Sequence, residues 1–202
     1  KYSTIWSVDF THDWFRHGIE EWTHTGTITH DQSHVRALPE LPEVEEVLLG
    51  WALGDQLLDE KAIIGVFDEG CMGMYKAIID DQLLNSVGVY KERLSQSALY
   101  AEMLKVSEED ADGAYNWLID HGMTFKYGED PKTELTREQV QWQMKMYIAA
   151  MRIADDFGLD AVGIQYQQGL KDLVPASDLA EGMLNSTERP PVFSRDGKRE
   201  LH

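Results

Sequence analysis

One pattern recurs along this chain and constrains it more than any other: a stretch with helical periodicity, then a short apolar run, then a turn. Residues 61–67 carry Ile63, Ile64 and Val66 and are closed by Asp68-Glu69-Gly70, and residues 159–164 form a second such run directly after Gly158. Runs this short and this apolar read as strands buried on both faces. Between them, Thr136 and Gln139 have capping-box spacing, and Val140, Met144, Tyr147, Met151 and Ala154 mark one face of a helix over 136–157 that Gly158 stops. From Pro42, which suits a first helical turn, Val44, Val47, Leu48 and Trp51 predict another helix, weakened at its far end by Gly54.

The remaining segments fill in the alternation. Residues 4–8 and 86–90 read as strands, with a helix resuming near Met74 and others over 97–106 and 107–120. The last of these has Ser107 and Asp110 as a capping box and Gly122 as its stop, and a short helix runs from Ser177 through Leu184. Parallel strands need crossovers to return to the same edge, so the fold class is α/β: a mainly parallel, Rossmann-like sheet flanked by helices. Pro175 and Pro190-Pro191 mark a seam, dividing the chain into an α/β unit over 1–174 and the beginning of a second domain over 175–202. There, Arg195-Asp196-Gly197-Lys198 between Val192-Phe193 and Leu201 predicts a hairpin. The opening at Lys1 and the stop just past that turn suggest a piece of a larger protein.

Charge and cysteine content narrow the partners. With 18 Lys+Arg against 36 Asp+Glu the formal charge is −18, which repels phosphate backbones and anionic membrane surfaces, so no nucleic-acid or membrane partner is expected. The single Cys71 excludes an internal disulfide framework and fits a reducing compartment, with the cytoplasm as the default. The apolar run over 62–67 is too short to span a bilayer.

Ligands of α/β sheets sit at the carboxyl ends of strands, which points to two loops. The first, 68–74, holds Cys71, Met72 and two glycines. It lacks a dinucleotide or P-loop spacing, and its carboxylates oppose a pyrophosphate, while Cys71, Met72 and Met74 have an ordinary use as core side chains. The second, from Gln165, offers Gln165, Gln167, Gln168, Lys171 and Asp172. It reads equally as a hydroxyl-binding wall or as a polar crossover. Asp178 falls in the first turn of the final helix with Glu181 one turn on. Helix capping alone explains Asp178, and a carboxylate pair is also what Mg²⁺ or Mn²⁺ requires. His12, His17, His24, His30 and His34 read as solvent-facing, and Trp14 and Trp22 as packing residues.

The stretch Lys145-Met146, Gly163-Ile164-Gln165, Gln167, Asp172, Pro175, Asp178, Glu181 and Leu184-Asn185-Ser186 resembles the L-fucose isomerase family. A second block resembles that family's middle domain in the same order: the helix from Pro42, the strand from Ile63, Cys71-Met72-Gly73 and Ile78-Ile79-Asp80. The resemblance covers roughly residues 41–192. It implies an aldose-ketose isomerase with a divalent metal, usually Mn²⁺, and a homo-oligomer with active sites between subunits. There a metal bridges O1 and O2 of the open-chain sugar and a carboxylate moves the proton between C1 and C2. Family ligands are a Glu, an Asp and a His. The Asp falls on Asp178, as metal ligand and catalytic residue, and the sugar pocket falls on Met72, Gln165 and Gln167. Only Asp156 or Asp160 lies near the place of the Glu, and the His is expected beyond His202. A non-catalytic sugar-binding or assembly role on the same fold is the alternative.

Overall fold

The computed structural model describes residues 3–37, 39–70, 78–165 and 169–202. The chain forms two compact units, Lys1–Val44 and Glu45–His202.

Among its described residues the first unit contains one helix, α1 (Asp13–Thr25), closed by Gly26 in the left-handed region at φ 73°. The strand expected over residues 4–8 does not form. Alternation makes a strand only where an edge is available for pairing, and the described residues of this unit contain no other strand. All five histidines are exposed, and His30 and His34 lie outside any helix. Trp14 and Trp22 are about half exposed, at 52% and 50%, rather than enclosed in a core.

The second unit is α/β. In chain order it contains α2 (Glu45–Glu60), β1 (Ala62–Phe67), α3 (Asp81–Asn85), β2 (Val89–Leu94), α4 (Gln96–Met103) and α5 (Glu108–Asp120). These are followed by α6 (Arg137–Phe157), β3 (Ala161–Ile164), a 3₁₀ turn (Leu170–Asp172), α7 (Asp178–Leu184), β4 (Val192–Phe193) and β5 (Glu200–Leu201). The three long strands form a parallel sheet in the order β2-β1-β3. The register places Phe67 beside both Leu94 and Ile164, so three apolar side chains end the sheet as one buried row. The expected hairpin is present as β4 and β5, paired antiparallel with Val192 opposite Leu201 and the turn opened by Gly197 at φ 72°.

Helix α6 organises the core. Thr136 and Gln139 complete a reciprocal capping box at its start, and Gly158 ends it at φ 63°, a left-handed conformation that a side chain disfavours. The predicted face is buried at Val140, Met144, Tyr147 and Met151. Burial also extends round the helix through Gln143, Met146, Ile148, Ala149, Ala150, Arg152 and Ile153. Its neighbours explain this, since α4, α5, α7 and the hairpin all pack on it. The two polar residues are satisfied: Gln143 Oε1 accepts from Ala180 N at 3.0 Å, and Arg152 donates to Phe193 O at 3.1 Å and to Asp110 at 3.0 Å.

Tyr147 is wholly buried and donates its hydroxyl to Pro190 O at 2.6 Å. Burial pushes this phenol up to about 12. In the unfolded chain it ionises near its ordinary value of about 10, so the unfolded state gains as pH rises through that interval. Tyr147→Phe is expected to lower the unfolding free energy at neutral pH by about 1 kcal/mol. It should also remove part of the stability that the parent chain loses between about pH 10 and 12. Urea unfolding of both proteins at neutral and at alkaline pH reads both effects; a difference between them that does not change with pH would contradict the assignment.

The two edges of the sheet are held differently. On β2, Lys91 Nζ, almost enclosed, meets Glu69, Asp81 at 3.0 Å and the carbonyl of Ile79 at 2.7 Å. Arg93 joins the same network through Asp81 at 2.8 Å and Glu69 at 2.9 Å. On β3, the Ile164 amide donates to Glu181 Oε1 at 3.1 Å.

Candidate functional site

The parallel strands bring Asp68, Gln96 and Gln165 together, each at or just past the carboxyl end of its own strand. Gln96 opens α4 directly after β2 and is 5% exposed. Its Nε2 donates to the carbonyl oxygen of Gln165 and to Gln165 Oε1, the latter at 3.0 Å. Its Oε1 accepts from Leu170 N at 2.9 Å and Gly169 N at 3.2 Å, and its own backbone N donates to Asp68 Oδ2 at 2.9 Å. Gln96 thus ties the ends of all three strands and the start of the 3₁₀ turn, through its side-chain amide to Gln165, Gly169 and Leu170 and through its backbone N to Asp68. Asp68 is held at φ 59°, a left-handed position that Asp tolerates better than most residues.

Gln165 sits where the sequence suggested, past β3, with its backbone N bonded to Phe67 O at 3.2 Å. Its side-chain oxygen is occupied by Gln96, while its Nε2 is buried and has no partner among the described residues. A buried donor of this kind is costly unless an acceptor reaches it, which fits a ligand oxygen. Met72 and Gln167, the other expected sugar contacts, lie outside the described residues, as do Cys71 and Met74.

Asp178 is the first residue of α7 and is exposed, beside the fully buried Ser177. Glu181 does different work from Asp178. It accepts from Ser177 Oγ at 2.7 Å and from Ile164 N at 3.1 Å, which pins the first turn of α7 against the last residue of β3. Glu181 is therefore occupied in holding the helix, and the carboxylate pair expected from the spacing reduces to one available group, Asp178.

Neither aspartate considered for the family's Glu position reaches this end of the sheet. Asp160 precedes β3 and accepts from Ile63 N at 2.8 Å, at the amino ends of the strands. Asp156, near the end of α6, is engaged by Arg195 at 2.8 and 2.7 Å. Among the described residues no three His, Cys, Asp or Glu side chains converge on a point that could hold a metal ion. Of the carboxylates expected as Mn²⁺ ligands, Asp178 alone stays outside these structural bonds among the described residues, and one carboxylate does not make a coordination shell.

Sequence reasoning named Asp68 only as part of a loop and missed Gln96 altogether, because the helix was expected to start one residue later, at Ser97. The signal was present in Ser95, whose side chain accepts from Ala98 N at the helix start and so places Gln96 at the first helical position. No helix among the described residues is long and apolar enough to cross a membrane. No family model and no curated protein matches the chain.

Proposed function

We propose that this chain belongs to a metal-dependent sugar isomerase, interconverting an aldose and a ketose, to which it contributes Asp178 as a Mn²⁺ ligand and Gln165, Gln167 and Met72 as sugar contacts. The resemblance to the L-fucose isomerase family motivates the reading. The observation that supports it is the division of labour on α7: Glu181 fixes the helix beside β3, and Asp178 in the same turn is exposed. The buried Nε2 of Gln165, without a partner among the described residues, adds at the adjacent strand end a donor suited to a sugar oxygen. In this reading the remaining ligands, a Glu and a His, come from outside the described residues, in a homo-oligomer with sites between subunits. The bound metal would supply charge stabilisation for the enediolate.

The test is conversion of L-fucose or L-arabinose to its ketose by the intact protein, with Mn²⁺ and after chelation. Asp178→Ala is expected to lower Mn²⁺-supported conversion by about 100-fold or more, as loss of a ligand should, since loss even of outer partners costs roughly 10–100-fold. Conversion that survives both chelation and Asp178→Ala would end the proposal. A second reading, a non-catalytic sugar-binding or assembly role, is favoured by the occupation of Asp156, Asp160 and Glu181 in structural bonds. Sugar binding without turnover, in the presence of Mn²⁺, would select it.

A further inference from the structure

Helix α2 is apolar around most of its circumference, a pattern that ordinarily goes with a helix enclosed by its neighbours. Here Leu48, Leu49, Trp51, Leu53 and Leu58 are each about half exposed, and no residue of the helix is buried. Its charge has a single sign. Glu45, Glu46, Asp55, Asp59 and Glu60 face no Lys or Arg within the helix. Asp55 and Asp59 stand one turn apart, where like charges repel, and Asp59 and Glu60 occupy the last turn, where the helix dipole disfavours anions. Lys61, just beyond, turns its ammonium back onto the Leu58 carbonyl.

A groove of about 460 Å³ runs along this helix, lined on α2 by Gly50, Trp51, Gly54, Asp55 and Leu58 and across from it by Val87. It lies at the amino ends of β1 and β2, a strand length of about 20 Å from Gln96 and Gln165. Gly88, at φ 83°, shapes it: a Cβ there would collide with the Leu57 carbonyl, so the turn before β2 can pass close against the end of α2. The groove offers no backbone hydrogen bonds to a guest. The amides of α2 are spent within the helix, and those of Ser86, Val87 and Gly88 donate to Gln82 O, Leu84 O and Asn85 O. An extended segment would leave its own backbone unpaired here, so the fitting occupant is a helix, which pairs its backbone internally.

We propose that this face of α2 docks a basic amphipathic helix of a partner protein. Leucine-like side chains of the partner fill the groove between Trp51, Leu58 and Val87, and its Lys or Arg side chains meet Asp55, Asp59 and Glu60. Charge complementarity selects this occupant over a second copy of the chain, which would bring α2 against α2, acid against acid, on a protein of formal charge −18. The proposal needs neither sugar nor metal, so it stands or falls apart from the isomerase reading.

The probe is a fluorescently labelled helical peptide made of two repeats of Leu-Lys-Lys-Leu-Leu-Lys-Leu, titrated with the intact chain at about 0.15 M salt and followed by anisotropy. A second peptide carries Glu in place of every Lys. Saturable binding of the Lys peptide and none of the Glu peptide is expected. Gly54→Leu puts a side chain where an added Cβ meets nothing within the chain, and leucine favours the helix more than glycine does, so the fold should persist. The filled groove should then bind the peptide at least about tenfold more weakly. Asp55→Lys should weaken binding several-fold, whereas Asp120→Lys, the same change of charge on the exposed end of α5, should have a much smaller effect. Trp51→Ala tests the same wall if Gly54→Leu does not fold, with a loss of about tenfold. Equal binding of the two peptides, equal losses from Asp55→Lys and Asp120→Lys, or full affinity in folded Gly54→Leu would each overturn the proposal. Sedimentation equilibrium covers the other occupant: self-association of the chain that Gly54→Leu abolishes would assign the face to a second copy and overturn the proposal as well.

Discussion

Gln96→Glu is expected to lower the unfolding free energy of the second unit by about 3 kcal/mol or more. In the native protein Nε2 donates to two oxygens of Gln165 from a side chain that is 5% exposed. A carboxylate in its place turns an oxygen toward those two oxygens and buries a charge that meets no cation among the described bonds of Gln96. Gln96→Ala should cost about 2 kcal/mol, because it leaves the amides of Gly169 and Leu170 without their acceptor. Denaturant unfolding measures the cost, and hydrogen exchange at Gly169 and Leu170 locates it. The defect of the Glu variant should shrink in acid, where the introduced carboxyl takes up a proton and regains a donor. If the Glu variant unfolds within about 0.5 kcal/mol of the parent, Gln96 is not the tie between the strand ends.

A second large loss is expected from Arg195→Ala, at about 2–4 kcal/mol. Arg195 makes a two-pronged pair with Asp156 and a bond of 2.7 Å to Glu102. Both side chains of the Asp156 pair are 44% exposed, so that pair contributes little. Glu102 is different, because its side chain is 5% exposed and its other partner, Lys105, is largely in solvent. Burial pushes the Glu102 carboxyl up, but Arg195 and Lys105 outweigh it and hold the group below its ordinary value. A carboxyl depressed in this way stabilises the fold above its unfolded pKa, near 4.5, and loses that contribution as pH falls through the lower folded value. Without Arg195 the burial effect gains ground, so the deficit of Arg195→Ala should be fullest near neutral pH and smaller in acid. Glu102→Gln added to Arg195→Ala should recover part of the loss by removing the buried charge. A double variant no more stable than the single one at neutral pH would show that Arg195 acts through the hairpin backbone instead.

The parts of the fold legible from sequence were those written in local chemistry. The start of α6 needs only Thr136 and Gln139, its end only Gly158, and both stand where their spacing placed them. Ser107 caps α5 through Asp110 N at 3.0 Å, yet the reciprocal half of that box is replaced, because the Asp110 carboxylate turns to Arg152 across the core. Helix α2 runs to Glu60, past the glycine expected to weaken it. Strand β2 was read too early, over 86–90 instead of Val89–Leu94, since Lys91, Glu92 and Arg93 break any apolar pattern. Lys91 and Arg93 are tolerated there through partners that strand periodicity cannot see: Glu69, from the loop after β1, and Asp81, from the first turn of α3. The candidate site divides in the same way. Gln165 was found because it follows a recognisable strand, while the roles of Gln96 and Glu181 depend on partners 69 and 17 residues away.

The bond from Ile164 to Glu181 also bears on how the sheet meets other chains. A three-stranded parallel sheet has two edges, and an open edge invites strand addition by a neighbouring molecule. On β2 the charged pairs of Lys91 and Arg93 discourage that addition. On β3 a side chain from α7 already occupies the amide that an incoming strand would need, so growth of the sheet past Ile164 requires Glu181 to let go first.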